Sequence, residues 1–455
     1  ERPGFNMDIK SSYAVEVKNI NKLFNPTIKI YNQAVTFCIQ AFENEWSVLK
    51  DINDSKIQCG VARNLIHSTK SNKAKYSEFD KLFHKMPSYC TTAVINASLG
   101  VLNSYHSNLQ NWYDEGCKGN RPTLQIHTNK YPVFYKDNMY KWADTKNAIL
   151  LKLFINNDWQ WVKLRLKHTD VQSIKKHSIN AKISVPTLEK KHKKWFLRFA
   201  FENKAILNKT PLSKQRILAV DLGINTDAIC SVMDYYGTVL ARCFINHASE
   251  KDYIKHNLNR IKKYQAAGQK DVVRELWNIT KKHNRELAVK TASAIVNYAK
   301  QQNVDVIVFE HLDMKGRKRG SKRQLLHMWN KNTIQKIVTN KAHSSGIRIS
   351  HICARNTSKL AYDGTGYVLR GKDAGLSTYE LCKFQTGKIY NCDLSASYNI
   401  GARYFIREIE KIYTGKSICK KINIWSDIQA KVPECQRRTQ NTLSTLRAIH
   451  QCLAV

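Results

Sequence analysis

Two segments of this sequence have the composition of buried strands, and each of them ends in a carboxylate. The apolar run at 217–220 ends at Asp221, and the strand-like segment 304–310 ends at Glu310. A third acid, Asp393, opens a segment with helical periodicity. An unpaired charge at the buried end of a strand is expensive, so the fold must supply a positive group there or expose the acid in a turn.

The overall charge restricts the partners of the chain. Its 455 residues include 74 Lys and Arg against 36 Asp and Glu, which gives a formal net charge of +38. Self-repulsion of this size destabilises a compact chain unless a polyanion neutralises it, so nucleic acid is the expected partner. A membrane surface is the second candidate, but no apolar run reaches the length of about 18 residues that a spanning helix needs.

The cysteines give an expectation about the compartment. All twelve are scattered along the chain and form no CxxC pair. Because no secretory signal is visible either, the pattern predicts reduced thiols and a cytosolic location.

The first half of the chain changes its hydrophobic period twice. Strand-like alternation covers 8–20, helical spacing covers 26–116, and strand-like alternation returns over 121–205. The helical spacing starts at Asn25-Pro26, a typical helix start, and the second alternating region begins with Leu124 and Ile126. We therefore predict a β-barrel into which a helical lobe is inserted.

The second half has a mixed α/β pattern that follows a linker at 203–214. The predicted strands are 216–221, 227–233, 237–245, 304–310 and 347–353, and the predicted helices are 250–267, 271–302, 325–345 and one from Asp393 onward. Residues 363–375 form a glycine-rich loop, and the residues after about 413 give no clear pattern.

The order of these elements can bring the three acids together. Ends of neighbouring strands and the start of a helix packed on them meet at one edge of a mixed sheet. Three clustered carboxylates repel one another strongly unless cations lie between them. Oxygen ligands with open positions suit Mg²⁺ or Mn²⁺, and two such ions activate a water and stabilise the leaving oxygen of a phosphodiester. With its high positive charge, the chain is therefore predicted to be a nuclease.

The three acidic motifs resemble those of a known family. The stretches "VDLGIN", "VFEHLDMKG" and "CDLSASYNIGAR" are similar, in order and spacing, to the RuvC motifs of TnpB and the compact type V CRISPR effectors, which are RNA-guided DNA endonucleases. The stretch "MWNKNTIQKIVTNKAHSSGIRI" between the second and third motifs is similar as well. The resemblance covers 215–407 and implies an RNase H-like fold in which Asp221, Glu310 and Asp393 hold two Mg²⁺ ions and act as catalytic residues.

The resemblance also implies partners and domains. The partners are a guide RNA and a double-stranded DNA target with a short adjacent duplex motif, while a monomer and a homodimer both stay open. The implied domains are a wedge-like β-barrel (7–25 and 117–213), a helical recognition lobe (26–116), a RuvC-like nuclease domain (214–354 and 392–412), a ribbon-like insertion that binds target nucleic acid (355–391) and a C-terminal tail of unknown structure (413–455).

The insertion departs from the family pattern. Relatives carry a four-cysteine zinc ribbon before the third acid, and the corresponding positions here are Ala361, Gly364, Cys382 and Gln385. A structural zinc site needs four ligands, so we predict a remnant of the ribbon without zinc. A second departure is Ser395, which stands where the motif usually has asparagine.

Two basic segments are candidates for contact with nucleic acid. One is "EKKHKKW" at 189–195, a predicted turn, and the other is "MKGRKRGSKR" at 314–323, a predicted lid beside Glu310. Their candidate residues are Lys190, Lys191, Lys193 and Lys194, and Lys315, Arg317, Lys318, Arg319, Lys322 and Arg323. Trp159, Trp161 and Trp195 are candidates for base stacking, although alternating aromatics in a barrel are more often core residues.

Other interpretations stay open at this stage. Taken singly, Asp221 is consistent with a turn residue and Asp393 with a helix N-cap, so only the joint occurrence of the three acids favours a site. The chain could also be an RNA-guided DNA-binding protein that does not cut, or an RNase H-like transposase that uses no guide.

Overall fold

The computed structural model describes residues 4–17, 21–191, 194–311, 324, 328–414 and 422–454. The chain has a mixed α/β fold with two compact units. One unit is Lys10–Asn203, and the other is Lys204–Val455 together with Glu1–Ile9.

The unit Lys10–Asn203 begins with a strand, continues with five helices, and ends with strands among which one further helix lies. Its helices are α1 (Asn21–Asn44), α2 (Trp46–Leu49), α3 (Ser55–Ile66), α4 (Glu78–Leu82), α5 (Ser88–Asp114) and α6 (His168–Ser178). Its strands are β1 (Gly4–Val17), β2 (Tyr140–Trp142), β3 (Ala148–Ile155), β4 (Asp158–Arg165), β5 (Ala181–Ile183), β6 (Thr187–Lys191) and β7 (Lys194–Asn208). The strands pair in two sheets, one with the order β1-β7-β5 and β6 also on β7, the other with the order β2-β3-β4. The closed barrel stays a prediction.

Helices α1 and α5 form the core of the helical part. Residues one turn apart on α1, including Val35 and Ile39, are buried in one apolar cluster with Val94 and Leu99 of α5. The Ser98 hydroxyl of α5 donates to the Val35 carbonyl at 3.2 Å, and this hydrogen bond fixes the position of α5 along the axis of α1. Helix α5 ends at Asp114, close to the end of the predicted helical region at residue 116.

Two sequence expectations for the helices and strands of this unit are wrong. Helix α1 begins at Asn21 and contains Pro26, because Phe24 in the added turn is fully buried against Trp195 and this packing outweighs the cost of proline. Leu124 and Ile126 lie outside the strands, since their segment runs along α1, where the Thr36 hydroxyl donates to the Ile126 carbonyl at 3.3 Å.

Two boundaries in the strand-rich region also differ from the prediction. Helix α6 interrupts this region, because Val171 and Ile174 fall on one helical face and are both buried. Strand β7 continues to Asn208, so the predicted linker at 203–214 begins later than expected.

The second unit is built around a five-stranded sheet. Its strands β8 (Arg216–Asp221), β9 (Ala228–Asp234), β10 (Val239–Ile245), β11 (Val306–His311) and β12 (Arg348–Cys353) have the order β10-β9-β8-β11-β12. The pairs β10/β9 and β9/β8 are antiparallel, whereas β8/β11 and β11/β12 are parallel. The helices are α7 (Ala248–Ala266), α8 (Lys270–Gln301), α9 (Lys331–His343), α10 (Cys392–Thr414), α11 (Ile422–Lys431) and α12 (Leu443–Ala454).

Alternation along β8 and β11 gives the sheet two apolar faces. Leu218, Val220 and Phe309 belong to a buried cluster with residues of α8 and α9. Ile217, Ala219, Val306 and Val308 belong to a second cluster with residues of α10. The sheet therefore lies between two helical layers, and this accounts for the nearly continuous apolar composition of its central strands.

Helix α10 packs closely on the sheet at Gly401. A Cβ atom at this position would lie 3.1 Å from the Met233 sulfur and 3.4 Å from the Ala219 Cβ. On the outer side of α10, Trp425 and Ile428 of α11 and Leu446 of α12 extend the same cluster. The described part of 413–455, a segment with no clear sequence pattern, thus supplies two helices that cover α10.

The insertion 355–391 forms a small sheet of its own. Its strands β13 (Leu369–Arg370), β14 (Leu381–Lys383) and β15 (Ile389–Asn391) pair antiparallel in that order. Ala361, Cys382, Phe384 and Cys392 form a small apolar cluster beneath it.

The eleven cysteines among the described residues are all free, and the twelfth, Cys419, lies outside the described ranges. Of the helices in these ranges, none combines the length and the apolarity that crossing a bilayer requires.

The contact at Gly401 can be tested by substitution. We expect Gly401→Val to lower the free energy of unfolding by about 1–3 kcal/mol, because the added side chain must displace Met233 in a packed core. Gly100→Val is the matched control, since Gly100 also lies within a helix but has open space around the Cβ position. Urea unfolding should show a change within about 0.5 kcal/mol for the control. Equal losses in both variants would contradict the packing described.

Candidate active site

The register of two parallel strands brings the first two acids together. Val220 of β8 lies opposite Phe309 of β11, and each is followed at once by its acid, Asp221 or Glu310. Neighbouring strands lie about 4.8 Å apart. By alternation the two acids share the face of Ala219 and Val308, which is the face that α10 covers.

The third acid lies in the first turn of α10. Asp393 follows Cys392, the first residue of the helix, and Leu394 already packs in the cluster on the sheet face. The side chain of Asn391 caps the helix by accepting from the Leu394 amide at 2.9 Å, so Asp393 is not the cap. Its carboxylate is therefore available to face the strand ends, and the positive end of the helix dipole favours its charge.

Burial, together with neighbouring carboxyl groups, raises the pKa values of all three acids. The pKa of Asp221 lies well above its ordinary value, chiefly because of burial and then because of the charges of Glu310 and Asp393. Burial also raises the pKa of Glu310, which is 8% exposed, and the charge of Asp393 adds to this. Burial raises the pKa of Asp393 as well. The structure thus brings the three predicted acids together, each destabilised as an anion.

One arginine and one threonine counter this repulsion. Arg370 lowers the pKa values of Asp221 and Asp393 through its charge. The Thr357 hydroxyl lies within hydrogen-bond distance of Glu310 Oε1 and of the Ala354 carbonyl, and its hydrogen bond lowers the pKa of Glu310. Arg370 belongs to the glycine-rich segment that we predicted as a loop over the acids.

A second arginine holds the surroundings of Glu310 in position. Arg403 of α10 is buried, and burial lowers its pKa to about 10. Its charge lowers the pKa of Glu310. Its guanidinium donates to four carbonyl groups at 2.8–3.0 Å, those of Cys353, Arg355, Thr439 and Asn441.

Helix α10 also positions Thr357 directly. The Asn399 side-chain amide donates to the Thr357 carbonyl at 3.0 Å and to the Leu360 carbonyl at 2.9 Å. Sequence reasoning did not single out Thr357, Arg370, Asn399 or Arg403. For Asn399 and Arg403 a signal was present, because both lie in the "CDLSASYNIGAR" stretch, whereas Thr357 carries no local pattern.

The turn after Asp221 depends on Gly223. A Cβ atom at this residue would lie 2.5 Å from the Thr226 carbonyl oxygen. Such a contact forces the backbone to move, so a side chain at this position would shift the end of β8 and with it Asp221.

The chemistry of the three acids fits a divalent cation, although no preformed cage is present. Within the described ranges, no group of three or more His, Cys, Asp or Glu side chains is arranged to hold a metal ion. The donors available are carboxylate oxygens, which hard cations such as Mg²⁺ prefer. Burial is the main reason that the pKa values of these acids are raised, and a bound cation would favour their charged forms. The Mg²⁺ site stays a prediction.

Two of the four predicted ribbon positions are members of a packed apolar cluster. Ala361 and Cys382 are both buried in it, and the Cys382 thiol donates to the Tyr390 carbonyl at 3.4 Å. Gln385 contacts Gly366, where a Cβ atom would lie 2.7 Å from its side-chain nitrogen. Ser395 accepts from the Tyr362 amide at 3.2 Å, which ties the start of α10 to the insertion.

Three lysines of the first basic segment already contact other side chains of the protein. Lys191 pairs with Glu189 at 2.6 Å, Lys194 pairs with Glu16 at 3.1 Å, and the Lys190 ammonium lies 4.8 Å from the Trp195 ring centre. Lys193 lies outside the described residues, as do the six basic residues of the second segment, Lys315, Arg317, Lys318, Arg319, Lys322 and Arg323.

Of the three tryptophans considered for base stacking, only one is exposed. Trp159 and Trp195 are core residues. Trp161 is 37% exposed on β4, and its ring has the ammonium groups of Lys141 and Lys152 at 4.9 and 5.8 Å from the ring centre. A basic and aromatic surface of this kind suits nucleic acid.

Comparisons with known proteins bear on the fold. A family model described as the Aq_aa04 family matches residues 11–155, less than half of the chain. No curated protein sequence gives a significant match. Among solved structures, the chain is similar to Cas12f1 in a cryo-EM complex with sgRNA and target DNA, with a TM-score of 0.51, 14% identity, and coverage of 83% of this chain and 80% of that chain.

Two further solved structures are similar at lower scores. One is CasPhi-2 (Cas12j) bound to crRNA, with a TM-score of 0.47, 10% identity, and coverage of 88% of this chain and 98% of that chain. The other is C2c1 of Alicyclobacillus acidoterrestris with single-guide RNA, with a TM-score of 0.42, 10% identity, and coverage of 85% and 67%. The likeness to Cas12f1 carries the conclusion that the chain has a fold similar to that of Cas12f1.

The mutual repulsion of the acids predicts an unusual effect on stability. Without metal at pH 7.5, we expect Asp221→Asn to raise the free energy of unfolding by about 1–2 kcal/mol, because it removes a buried charge beside two others. The raised folded-state pKa costs stability above that pKa and not below the ordinary value, so the gain should shrink as the pH falls toward 4.

Asp227→Asn is the matched control for this measurement. Asp227 is also buried, but it accepts from the His247 amide at 2.7 Å and lies 3.5 Å from the Lys251 ammonium. Loss of its charge should lower the stability in urea unfolding with EDTA present. A loss of stability in Asp221→Asn at pH 7.5 would rule out the repulsion that we describe.

Proposed function

We propose that the protein is an RNA-guided DNA endonuclease of the TnpB and compact type V CRISPR effector kind, with a single RuvC-like site. The observation that carries this proposal is the convergence of Asp221, Glu310 and Asp393 at one edge of the sheet, each destabilised as an anion. The Cas12f1-like fold of the chain supports it. The five-stranded sheet with α10 is then the RuvC-like domain, of RNase H-like type.

The three acids would hold two Mg²⁺ ions, for which Mn²⁺ is a possible substitute. When bound, these ions supply the positive charge that activates a water and stabilises the leaving oxygen of a phosphodiester. The residues of the chain do the positioning. Thr357 orients Glu310, and Arg403 and Asn399 fix the backbone that carries Thr357. Arg370 reduces the charge that the acids present to one another and to an approaching phosphate.

A guide RNA and a double-stranded DNA target are the proposed partners. The net charge of +38 favours polyanions, and the Cas12f1 structure to which the chain is similar contains sgRNA and target DNA. Trp161 with Lys141 and Lys152 supplies one surface for stacking and phosphate contact. Specificity would then come from pairing between guide and target, while the protein holds the duplex by its backbone.

The remaining domains follow the same proposal. The β-rich residues 7–25 and 117–213 would be wedge-like, 26–116 a recognition lobe, 214–354 and 392–412 the nuclease, and 355–391 a remnant of a zinc ribbon that contacts target nucleic acid. The apolar packing of Cys382 and Ala361 supports a role for this remnant that does not need zinc.

The catalytic assignment can be tested with the protein purified together with its RNA. We expect Asp221→Ala to lower Mg²⁺-dependent plasmid cleavage by about a thousandfold or more, since the charge that metal ions supply is worth several kcal/mol. The same variant should keep its bound RNA, because the acid lies in the site and not on the RNA-binding surfaces proposed above.

Asp234→Ala is the control for this experiment. Asp234 also ends a strand, but in the strand register it lies opposite Arg216, at the end of β8 that is far from Asp221. Its carboxylate accepts hydrogen bonds from the turn amides of Tyr236 and Thr238. It should cleave as the wild type does. Cleavage by Asp221→Ala would refute the site, and RNA binding without cleavage by the wild type would favour a guided binding protein. If sequencing finds no discrete co-purifying RNA, an unguided transposase becomes the better assignment.

A further inference from the structure

A cavity of about 370 Å³ opens beside the turn that follows Asp221, and we call it the strand-end cavity. Its wall on the side of the acids is the turn itself, Gly223 to Asn225. The other walls come from α7, α8 and the residues around Trp329. Its volume is in the range of sites that hold a small molecule or a single nucleotide. Neither the three acids nor the proposed cleavage uses it.

The interior of the strand-end cavity is apolar and partly aromatic. Ile254, Ala288 and Ile334 are buried along it, and Trp329 forms one wall. The Lys331 ammonium lies 5.5 Å from the centre of the Trp329 ring. An aromatic wall beside aliphatic side chains suits a flat, unsaturated ring better than an aliphatic chain.

The rim of the cavity, by contrast, is rich in amides. Asn225, Asn246, Asn284 and Asn330 all contribute to its lining. Side-chain amides offer a donor and an acceptor side by side, which is the pattern that the edge of a nucleobase presents. The side-chain amide of Asn330 donates to the backbone carbonyl of Asn284 at 2.9 Å, so the segments that carry these two residues are joined.

Charged side chains of both signs lie at the same rim, namely those of Lys251 and Lys255 and of the acids Asp227 and Asp252. The Lys251 ammonium donates to the Asn225 carbonyl and the Asn246 side chain and lies 3.5 Å from the buried Asp227 carboxylate. Asp227 also accepts from the His247 amide and ring, at 2.7 and 2.9 Å. Lys255, one turn further along α7, is exposed at the cavity. A ligand that matches this site carries an aromatic heterocycle and a phosphate.

We propose that the strand-end cavity receives one unpaired base of the DNA strand that the three acids engage. This inference rests on the proposed nuclease function and adds a base subsite to it. The cavity adjoins the turn after Asp221 on the α8 and α9 side of the sheet, so a strand anchored there by one base would pass around the end of β8 to reach the acids. Because a paired base cannot leave its stack without cost, the subsite would favour single-stranded DNA over duplex at the site. Lys255 would contact the neighbouring phosphate.

Photocrosslinking tests the subsite independently of cleavage. The probe is a short single-stranded DNA that carries one 5-iododeoxyuridine, mixed with the RNA-bound protein in EDTA, irradiated and digested with trypsin. We expect crosslinks to the tryptic peptide 324–331, which contains Trp329. The matched variants are Ala248→Trp and Ala266→Trp, at the first and last residues of α7. Both alanines are exposed, but only Ala248 lines the cavity.

The two variants should give different results. Ala248→Trp fills the mouth of the cavity and should lower the yield on peptide 324–331 by about tenfold, the loss of occupancy expected when one stacked base is excluded. Ala266→Trp should keep the wild-type yield, and both should keep crosslinks elsewhere. An equal yield in the two variants, or crosslinks that avoid this peptide, would overturn the subsite.

A second arm separates a base in a strand from a free nucleotide. Free 5-iododeoxyuridine monophosphate at the same concentration should crosslink to peptide 324–331 much less than the oligonucleotide does, because it lacks the further phosphates that hold a strand on the protein. A crosslink with the monomer but not with the oligonucleotide would make the cavity a nucleotide site and overturn the proposal. Plasmid cleavage without crosslinks to this peptide removes the subsite and leaves the nuclease. The loss of cleavage and of all crosslinks removes both.

Discussion

The packing of α10 on one face of the central sheet determines the geometry of the candidate site. The apolar residues of this helix are buried against Ile217, Ala219, Val306 and Val308, and Gly401 permits the close approach. The same contact holds Asp393 at the ends of β8 and β11, where the other two acids lie. Burial of apolar surface is thus the force that holds three like charges together. Their repulsion is the cost, and it is visible in their raised pKa values.

The surrounding residues reduce this cost only in part. Thr357 and Arg403 favour the charged form of Glu310, and Arg370 favours that of Asp221 and Asp393, yet the pKa values stay above their ordinary range. A site that is stable without metal would have a closer pairing of each acid with a base, as Asp227 has with His247 and Lys251. The incomplete compensation around Asp221 is what one expects where function requires an exchangeable positive charge.

Much of the second unit could be predicted from the sequence, because its strands are continuous apolar runs bounded by turns. Strand β8 coincides with the predicted 216–221, and the parallel partner of β8 differs from its prediction by only a few residues. The acids were predicted from strand ends, a local signal. Thr357 and Arg370 were not, since they reach the acids through tertiary contacts that no periodicity encodes. Helix α6 and the early start of α1 escaped prediction for the same reason, because Phe24 and Val171 reveal their role only through what they pack against.

The contacts of Arg403 and Asn399 have a consequence for how this sequence can diverge. Arg403 donates to the carbonyls of Thr439 and Asn441, and Asn399 accepts from the Leu443 amide, so α10 binds backbone groups of the segment before α12. These contacts require that segment to keep its length and its path. Insertions or deletions there would shift Arg403 and Asn399 and would thereby alter the surroundings of Glu310. This would happen although the segment contains no motif and lies far from the acids in the sequence.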